Sequence, residues 1–503
     1  METFGWASLV PAAVTILVAV FSRKVALALF CGIVSGALVF TGFLPLESIK
    51  SLWHYIVESF TDIERLKIVA FIMLIGGMLR IIESSGAYVK FADVLSKKID
   101  SPRKSRLTTW FISFLLFFDD YANVLISGSS MKKINLKNKV SPAFLAYMVD
   151  VLATMASVML ISTWASFEGS TMVDAGKGIG INDNMTSFFL SSLPYHFYTY
   201  LGIFLTFIVA FTGKWFGGHL DKENFIGEED KIGNEKIKKG LAFYHVLAPV
   251  LTLLGLAIVG MFVIGIIVLK SNGQDITLIN ILGSAPTIDI LIGSTLISIL
   301  LAYFLLKKDG LIGFKNSSVQ FYHGVKEMVE VGLVILFATG LSVVSDDLKT
   351  GQFIAQSITP YLTVEILPAL IFLISMLITV ATGFSWSSMA IVMPIAFQLS
   401  QSMDAVHLLP ILSAAVICGA VSGEHIIPFS EKAVMSSAAC GIAPVYHIKT
   451  MLFQTVVVFS TAFVGFLLIG YGIHIILAYV ISAAVIFTLH IVGARKIDPV
   501  TYQ

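Results

Sequence analysis

Residues 97–139 read KKIDSPRKSR, then LTTWFISFLLFFDDYANVLISGSSM over 107–131, then KKINLKNK. A long apolar run stands between two basic clusters. Basic residues near membrane segments stay on the cytoplasmic side. If 107–131 crossed the bilayer, one cluster would be stranded outside; if it dips in and returns, both stay inside. The reading is therefore a re-entrant hairpin with Asp119, Asp120, Tyr121, Ala122 and Asn123 at its tip. A single span is the alternative, and it breaks the charge rule.

The rest of the chain supports a membrane setting. Of 503 residues, 56% are hydrophobic and 13% are charged, against about a quarter charged in soluble domains. Runs of roughly 20 residues, enough to span, lie near 6–22, 25–43, 66–85, 141–167, 195–213, 241–269, 287–306, 323–345, 405–440, 449–470 and 473–492. The predicted fold class is an all-α polytopic membrane protein with about eleven spans and two re-entrant hairpins. Only Glu2 precedes the first run, and Arg23 and Lys24 follow it, so it reads as a retained helix rather than a cleaved signal. With Arg23 and Lys24 inside, the N-terminus is outside. The 214–240 loop, Lys307, Lys308 and Arg495 then fall inside, and the C-terminus is cytoplasmic. Cys31, Cys418 and Cys440 sit in apolar segments and read as packing residues.

The stretch 355–400 is too long for one span and is flanked by Asp346, Asp347 and Asp404. It fits a second hairpin, entered from the other side, with its tip near Thr382-Gly383-Phe384-Ser385-Trp386-Ser387-Ser388. A shift of 265 positions matches Gly86 to Gly351, Asp120 to Ser385, Tyr121 to Trp386, Asn123 to Ser388, Ser157 to Ser422 and Trp164 to Phe429. Residues 1–215 and 241–472 then form two repeats of five spans and one hairpin each. The 216–240 segment links them, and 473–503 adds a helix and a tail. An odd number of spans inverts the second repeat, the architecture of secondary transporters.

Ionisable groups in mid-membrane are costly and are functional candidates by default. The first hairpin offers Asp119, Asp120 and Asn123. The next span offers Asp150, Ser162 and Thr163, and the second hairpin offers Thr382, Ser385, Ser387 and Ser388. The ninth span carries Glu424, His425, Ser430, Glu431 and Lys432. Carboxylates, hydroxyls and freed carbonyls suit a hard cation such as sodium. Asp120, Asn123, Thr163, Ser385 and Ser388 form the sodium-ligand set. Gly423 and Pro428 bracket an expected unwinding, tolerated where it lines a cavity. Glu168 reads as a solvated residue near a membrane boundary. His425 and Asp150 also admit structural roles.

Phe117-Phe118-Asp119-Asp120-Tyr121-Ala122-Asn123, Tyr147-Met148-Val149-Asp150 and Leu160-Ile161-Ser162-Thr163-Trp164 resemble the NhaC-type sodium/proton antiporters of bacteria. So do Ala381-Thr382-Gly383, Ser385-Trp386 and the block from Gly423 through His425 and Pro428 to Ser430. The resemblance implies two opposed hairpins, a homodimer in the bacterial inner membrane and elevator-like movement of the site-bearing part. It implies sodium and protons as the coupled ions and no cofactor. The family block reads Gly-Asp-His-Cys-Ser-Pro-x-Ser-Asp-Thr. Here Glu424, Ile426-Ile427, Glu431 and Lys432 replace four of its features. Lys432 brings a fixed positive charge that replaces a bound cation or neutralises Glu431. Relatives of the family also exchange organic anions or amino acids, so a proton- or sodium-coupled carrier of a small organic acid or amino acid is the alternative.

Other classes find less support. A net charge of +1 suggests no nucleic-acid partner. Gly423-Glu424-His425-Ile426-Ile427 is not a His-Glu-x-x-His zinc helix, and no phosphate-binding Gly-x-x-x-x-Gly-Lys loop occurs, so an intramembrane enzyme and an ATP-driven pump are disfavoured.

Overall fold

The computed structural model describes residues 4–22, 24–87, 99–117, 120–217, 242, 244–273, 276–350, 353 and 363–496. In chain order the helices are α1 (Val10–Ser22), α2 (Val25–Phe40), α3 (Pro45–Thr61), α4 (Ile63–Ser84), α5 (Pro102–Leu115), α6 (Asp120–Lys137), α7 (Pro142–Ala153) and α8 (Thr163–Gly178). They continue as α9 (Met185–Ser192), α10 (Phe197–Thr212), α11 (Tyr244–Ser271), α12 (Leu278–Ser284), α13 (Thr287–Lys308), α14 (Phe314–Glu327) and α15 (Val329–Asp347). The last six are α16 (Leu367–Thr382), α17 (Ser385–Ser402), α18 (Leu409–Glu424), α19 (Glu431–Cys440), α20 (Pro444–Gly470) and α21 (Ile475–Gly493). The protein is an all-helical, multi-pass membrane protein. Its extended structure among the described residues is one antiparallel clip that pairs Lys214 with Lys496 and Trp215 with Arg495.

Six of the described helices are long and apolar enough to span, or up to eight if each of two bent pairs counts as one span. The first two runs form shorter apolar helices, Gly5–Ala19 and Val25–Phe40. α3, α9 and α12 have no counterpart among the runs read from the sequence. Charges at Glu47, Lys50 and Glu58 interrupt the apolar pattern of α3, which nevertheless exposes Leu46, Ile49 and Trp53.

Local chemistry starts and stops the helices that build the site. Proline stands in the first turn of α5, α7, α16, α18 and α20, where its missing N–H costs nothing. Ser101, Ser141, Ser162 and Ser430 cap α5, α7, α8 and α19 by accepting a backbone N–H. Gly383 ends α16 at φ +83°, a conformation that costs a glycine nothing and strains other residues.

Two helix pairs fold back on themselves. Ser105 Oγ donates to Asn135 Oδ1 at 2.5 Å, and Asn123 Nδ2 donates to the Ser113 carbonyl at 2.6 Å. These rungs hold α5 and α6 antiparallel, with Leu116 and Phe117 starting the turn that leaves α5. Asp119 lies outside the described residues, as does most of the 216–240 linker. In the second pair Ser388 Oγ donates to the Ser375 carbonyl at 2.7 Å, and Ser387 Oγ to Thr382 Oγ1 at 3.0 Å. Of the hairpin expected over 355–400, residues 355–362 lie outside the described residues.

Two apolar runs are broken. The 141–167 run bends by 48° between Pro142–Val158 and Thr163–Gly178, and the second piece continues past the expected end. Hydropathy misses this break because Met159, Leu160 and Ile161 are themselves apolar. The 405–440 run is interrupted between Glu424 and Glu431, where the Gly423–Pro428 bracket placed the unwinding. α18 presses directly on hairpin arm α16. A Cβ on Gly419 would lie 2.2 Å from the Phe372 carbonyl oxygen, and one on Gly423 2.8 Å from that of Met376. Small residues permit such approach between membrane helices, and here it fixes Glu424 beside the tip of the second hairpin.

Candidate functional site

Glu424 is the last residue of α18 and is 3% exposed. Its Oε1 accepts the backbone N–H of Ser385 at 2.8 Å. Ser385 is the first residue of α17, so the carboxylate sits on a helix N-terminus, where free amides and the helix dipole favour negative charge. Its Oε2 lies 3.2 Å from Lys432 Nζ on the first turn of α19, in ion-pair range but without hydrogen-bond alignment. Ser430 closes the break between the two helices. It donates to the Glu424 carbonyl at 2.9 Å and accepts from Ala433 N at 3.2 Å.

Aromatic rings wall the site. Lys432 Nζ stands 4.3 Å from the centroid of the Trp164 ring, on the first turn of α8. Such cation–π contacts are worth about 2 kcal/mol when desolvated. Trp164 meets Trp386 edge-on at 5.9 Å, and Phe167 stacks on Trp386 at 4.3 Å. Asp120 begins α6 and is 8% exposed, with Oδ1 lacking a hydrogen bond. Asp120, Trp164, Trp386, Glu424, Glu431 and Lys432 line one cavity, with about 20 Å³ open to the centre of a water-sized sphere. That is room for one water or one small ion. Lys432 lies within Coulombic reach of Glu424, Asp120 and Asp150. Of its two candidate partners, Lys432 thus meets Glu424; the neighbouring Glu431 is exposed at the rim.

A second cluster adjoins the first. Asp150 Oδ2 accepts from His447 Nε2 at 2.8 Å, and its Oδ1 lies 3.9 Å from His425 Nε2. His425 sits in the break after α18, and its Nδ1 is 2.7 Å from the Tyr198 hydroxyl. With the Nε2 proton facing Asp150, the hydroxyl donates to Nδ1. Neither His447 nor Tyr198 is among the candidates read from the sequence. Their partners lie 297 and 227 residues away, so no local pattern marks them.

The remaining candidates hold the frame. Asn123 bridges the first hairpin and accepts from Ser127 Oγ, and Ser388 bridges the second. Thr382 and Ser387 tighten the second tip. Ser162 caps α8 and donates to the Ala156 carbonyl at 2.6 Å, holding the 48° bend. Thr163 opens α8 and is buried. Of the oxygens expected around sodium, Asp120 faces the cavity, whereas the Asn123 amide and the Ser388 hydroxyl bind backbone carbonyls. Among the described residues no three of His, Cys, Asp and Glu converge as a metal cluster. Glu168 corrects the sequence reading. Because α8 runs on past the bend, its side chain is 0% exposed, and neither carboxyl oxygen has a hydrogen bond.

Two helical hairpins and two interrupted spans around buried charge, in a multi-pass chain, define a secondary transporter. The chain belongs to the Na+/H+ antiporter family, whose profile matches residues 155–471. It is 25% identical over 480 residues to an uncharacterised protein of Haemophilus influenzae, covering 92% of this chain and 91% of that one. It is 23% identical over 166 residues to the malate-2H(+)/Na(+)-lactate antiporter of Bacillus subtilis, covering 31% of this chain and 33% of that protein. Two solved structures share the fold. MtrF of Neisseria gonorrhoeae, described within a class of antimetabolite efflux pumps, has a TM-score of 0.58 at 16% identity, covering 84% of each chain. The YdaH transporter of Alcanivorax borkumensis has a TM-score of 0.60 at 15% identity, covering 85% of this chain and 90% of its own.

Proposed function

We propose that this protein exchanges sodium for protons across the bacterial inner membrane by elevator-like alternating access, as a homodimer, with no resident cofactor. The observation that carries this reading is the meeting of Glu424, Lys432 and the Ser385 amide beside Asp120 in a cavity sized for one small ion. Sodium and a proton compete for the same carboxylates there, and Lys432 serves as a tethered cation when neither is bound. Competition at one site yields exchange without further machinery. The moving part is the set of two hairpins and two interrupted spans, with 1–215 and 241–472 as inverted repeats, N-terminus outside and C-terminus cytoplasmic.

A second reading is an exchanger of small organic acids. The name of the Bacillus subtilis relative favours it, as does a Lys432 ammonium without an aligned hydrogen bond. The size of the cavity weighs against it in this conformation, because about 20 Å³ does not admit a dicarboxylate. Radioactive sodium binding to purified protein, titrated with pH, tests the first reading. Sodium should bind and be displaced as pH falls. Sodium-independent binding of malate or lactate at the same site would favour the second reading.

A further inference from the structure

Glu168 lies on α8 one turn from the small cavity. Trp164, four residues toward the N-terminus and about 6 Å along the axis, shares its helix face and lines that cavity beneath Lys432. A larger cavity of about 360 Å³ borders the opposite face of α8 at Ser170, Val173, Asp174 and Lys177. The Glu168 carboxyl is fully buried and both of its oxygens lack a hydrogen bond. An ionised carboxylate in such a place costs several kcal/mol, so a permanently charged structural Glu is a poor explanation. A purely structural residue would be hydrogen-bonded or replaced by an apolar one.

The charged surroundings are asymmetric. α9 and α17, which pack on α8, carry no ionisable side chain. From α4, Arg65 is engaged by Asp174, and from α15, Asp346 accepts from Gln398. Among the described residues, Lys432 on α19 reaches Glu168 electrostatically, and the Cys418 thiol on α18 is also in range. Movement of Lys432 toward or away from Glu168 therefore changes the stability of its charged form.

We propose that Glu168 is a proton carrier of the transport cycle, protonated while Lys432 is held by Glu424 and unloaded when Lys432 turns toward it. The step is balanced: a water-borne proton adds to the carboxylate to give the carboxyl, and the same proton later leaves to water. This rests on the proton-coupled reading above and adds a second proton-binding residue outside the cation cavity.

The test has two arms. In pH-difference infrared spectra of purified protein, a carboxyl band should appear that Glu168→Gln removes. In proteoliposomes, Glu168→Gln should lose sodium-driven proton flux while retaining radioactive sodium–sodium exchange, and Glu168→Asp should restore flux with a displaced pH profile. A Glu168→Gln protein with wild-type proton flux, or the absence of any Glu168-dependent band, overturns the proposal. Should Glu168→Gln fail to fold, the band in wild type and its displacement in Glu168→Asp decide. Absence of sodium-driven proton flux in wild type refutes the sodium/proton reading instead, and the infrared arm still judges Glu168.

Discussion

Lys432 and Glu424 face each other at 3.2 Å across a six-residue interruption between α18 and α19, with side chains 4% and 3% exposed. Breaking a buried pair by removing one partner costs about 3–5 kcal/mol because the other charge is left alone. Lys432→Thr should therefore lower the melting temperature in sodium-free choline buffer. Added sodium should recover much of that loss, since a ligand that binds the folded state stabilises it. Sodium dependence of transport should rise. A melting temperature indifferent to sodium would mean that no cation replaces the ammonium.

Asp150→Asn keeps the shape of the side chain and an oxygen to accept from His447, so the fold should persist as judged by a monodisperse chromatographic peak. Turnover should fall, because the Asp150–His425–His447 cluster loses the charge that organises it. Wild-type flux in Asp150→Asn would reduce the cluster to a structural role.

The contact between α16 and α18 has no space for a side chain at Gly419, where a Cβ would stand 2.2 Å from a backbone oxygen. Gly419→Val should destabilise the protein by at least about 1–3 kcal/mol and shift Glu424 off the Ser385 amide. Thermal unfolding in detergent reads the first effect, and loss of sodium binding reads the second.

Lys104 and Lys137 stand at the open end of the α5–α6 hairpin, and both are exposed. Cysteines placed there one at a time should react with an impermeant maleimide from the same side of the membrane. Labelling from opposite sides would make 107–131 a span.

Much of this arrangement was legible because charge and composition act locally. Basic clusters on both flanks of 107–131 pointed to a returning segment, and Gly423 with Pro428 pointed to the unwound stretch that carries His425. Asp120, Glu424 and Lys432 were visible as charges in apolar surroundings. What escaped depends on backbone geometry or distant pairing. The bend after Val158 leaves no trace in hydropathy, and missing it displaced Glu168 to a membrane boundary. The α3 helix was hidden by its charged face. His447 was passed over because Asp150, its partner, arrives from 297 residues away. The Asn123 amide nitrogen and the Ser388 hydroxyl donate to carbonyls across their hairpins, pairings that no local pattern announces, and their oxygens keep lone pairs.

The proposed exchange of sodium for protons through the Glu424–Lys432 site is read from proton movement, followed with an entrapped pH dye, in proteoliposomes given an inward sodium gradient. Wild-type protein should drive saturable proton efflux that collapses with the sodium gradient, and Glu424→Gln, folded and reconstituted to the same level, should not. Wild-type vesicles that move no protons under a sodium gradient, while exchanging malate or lactate, would contradict the account.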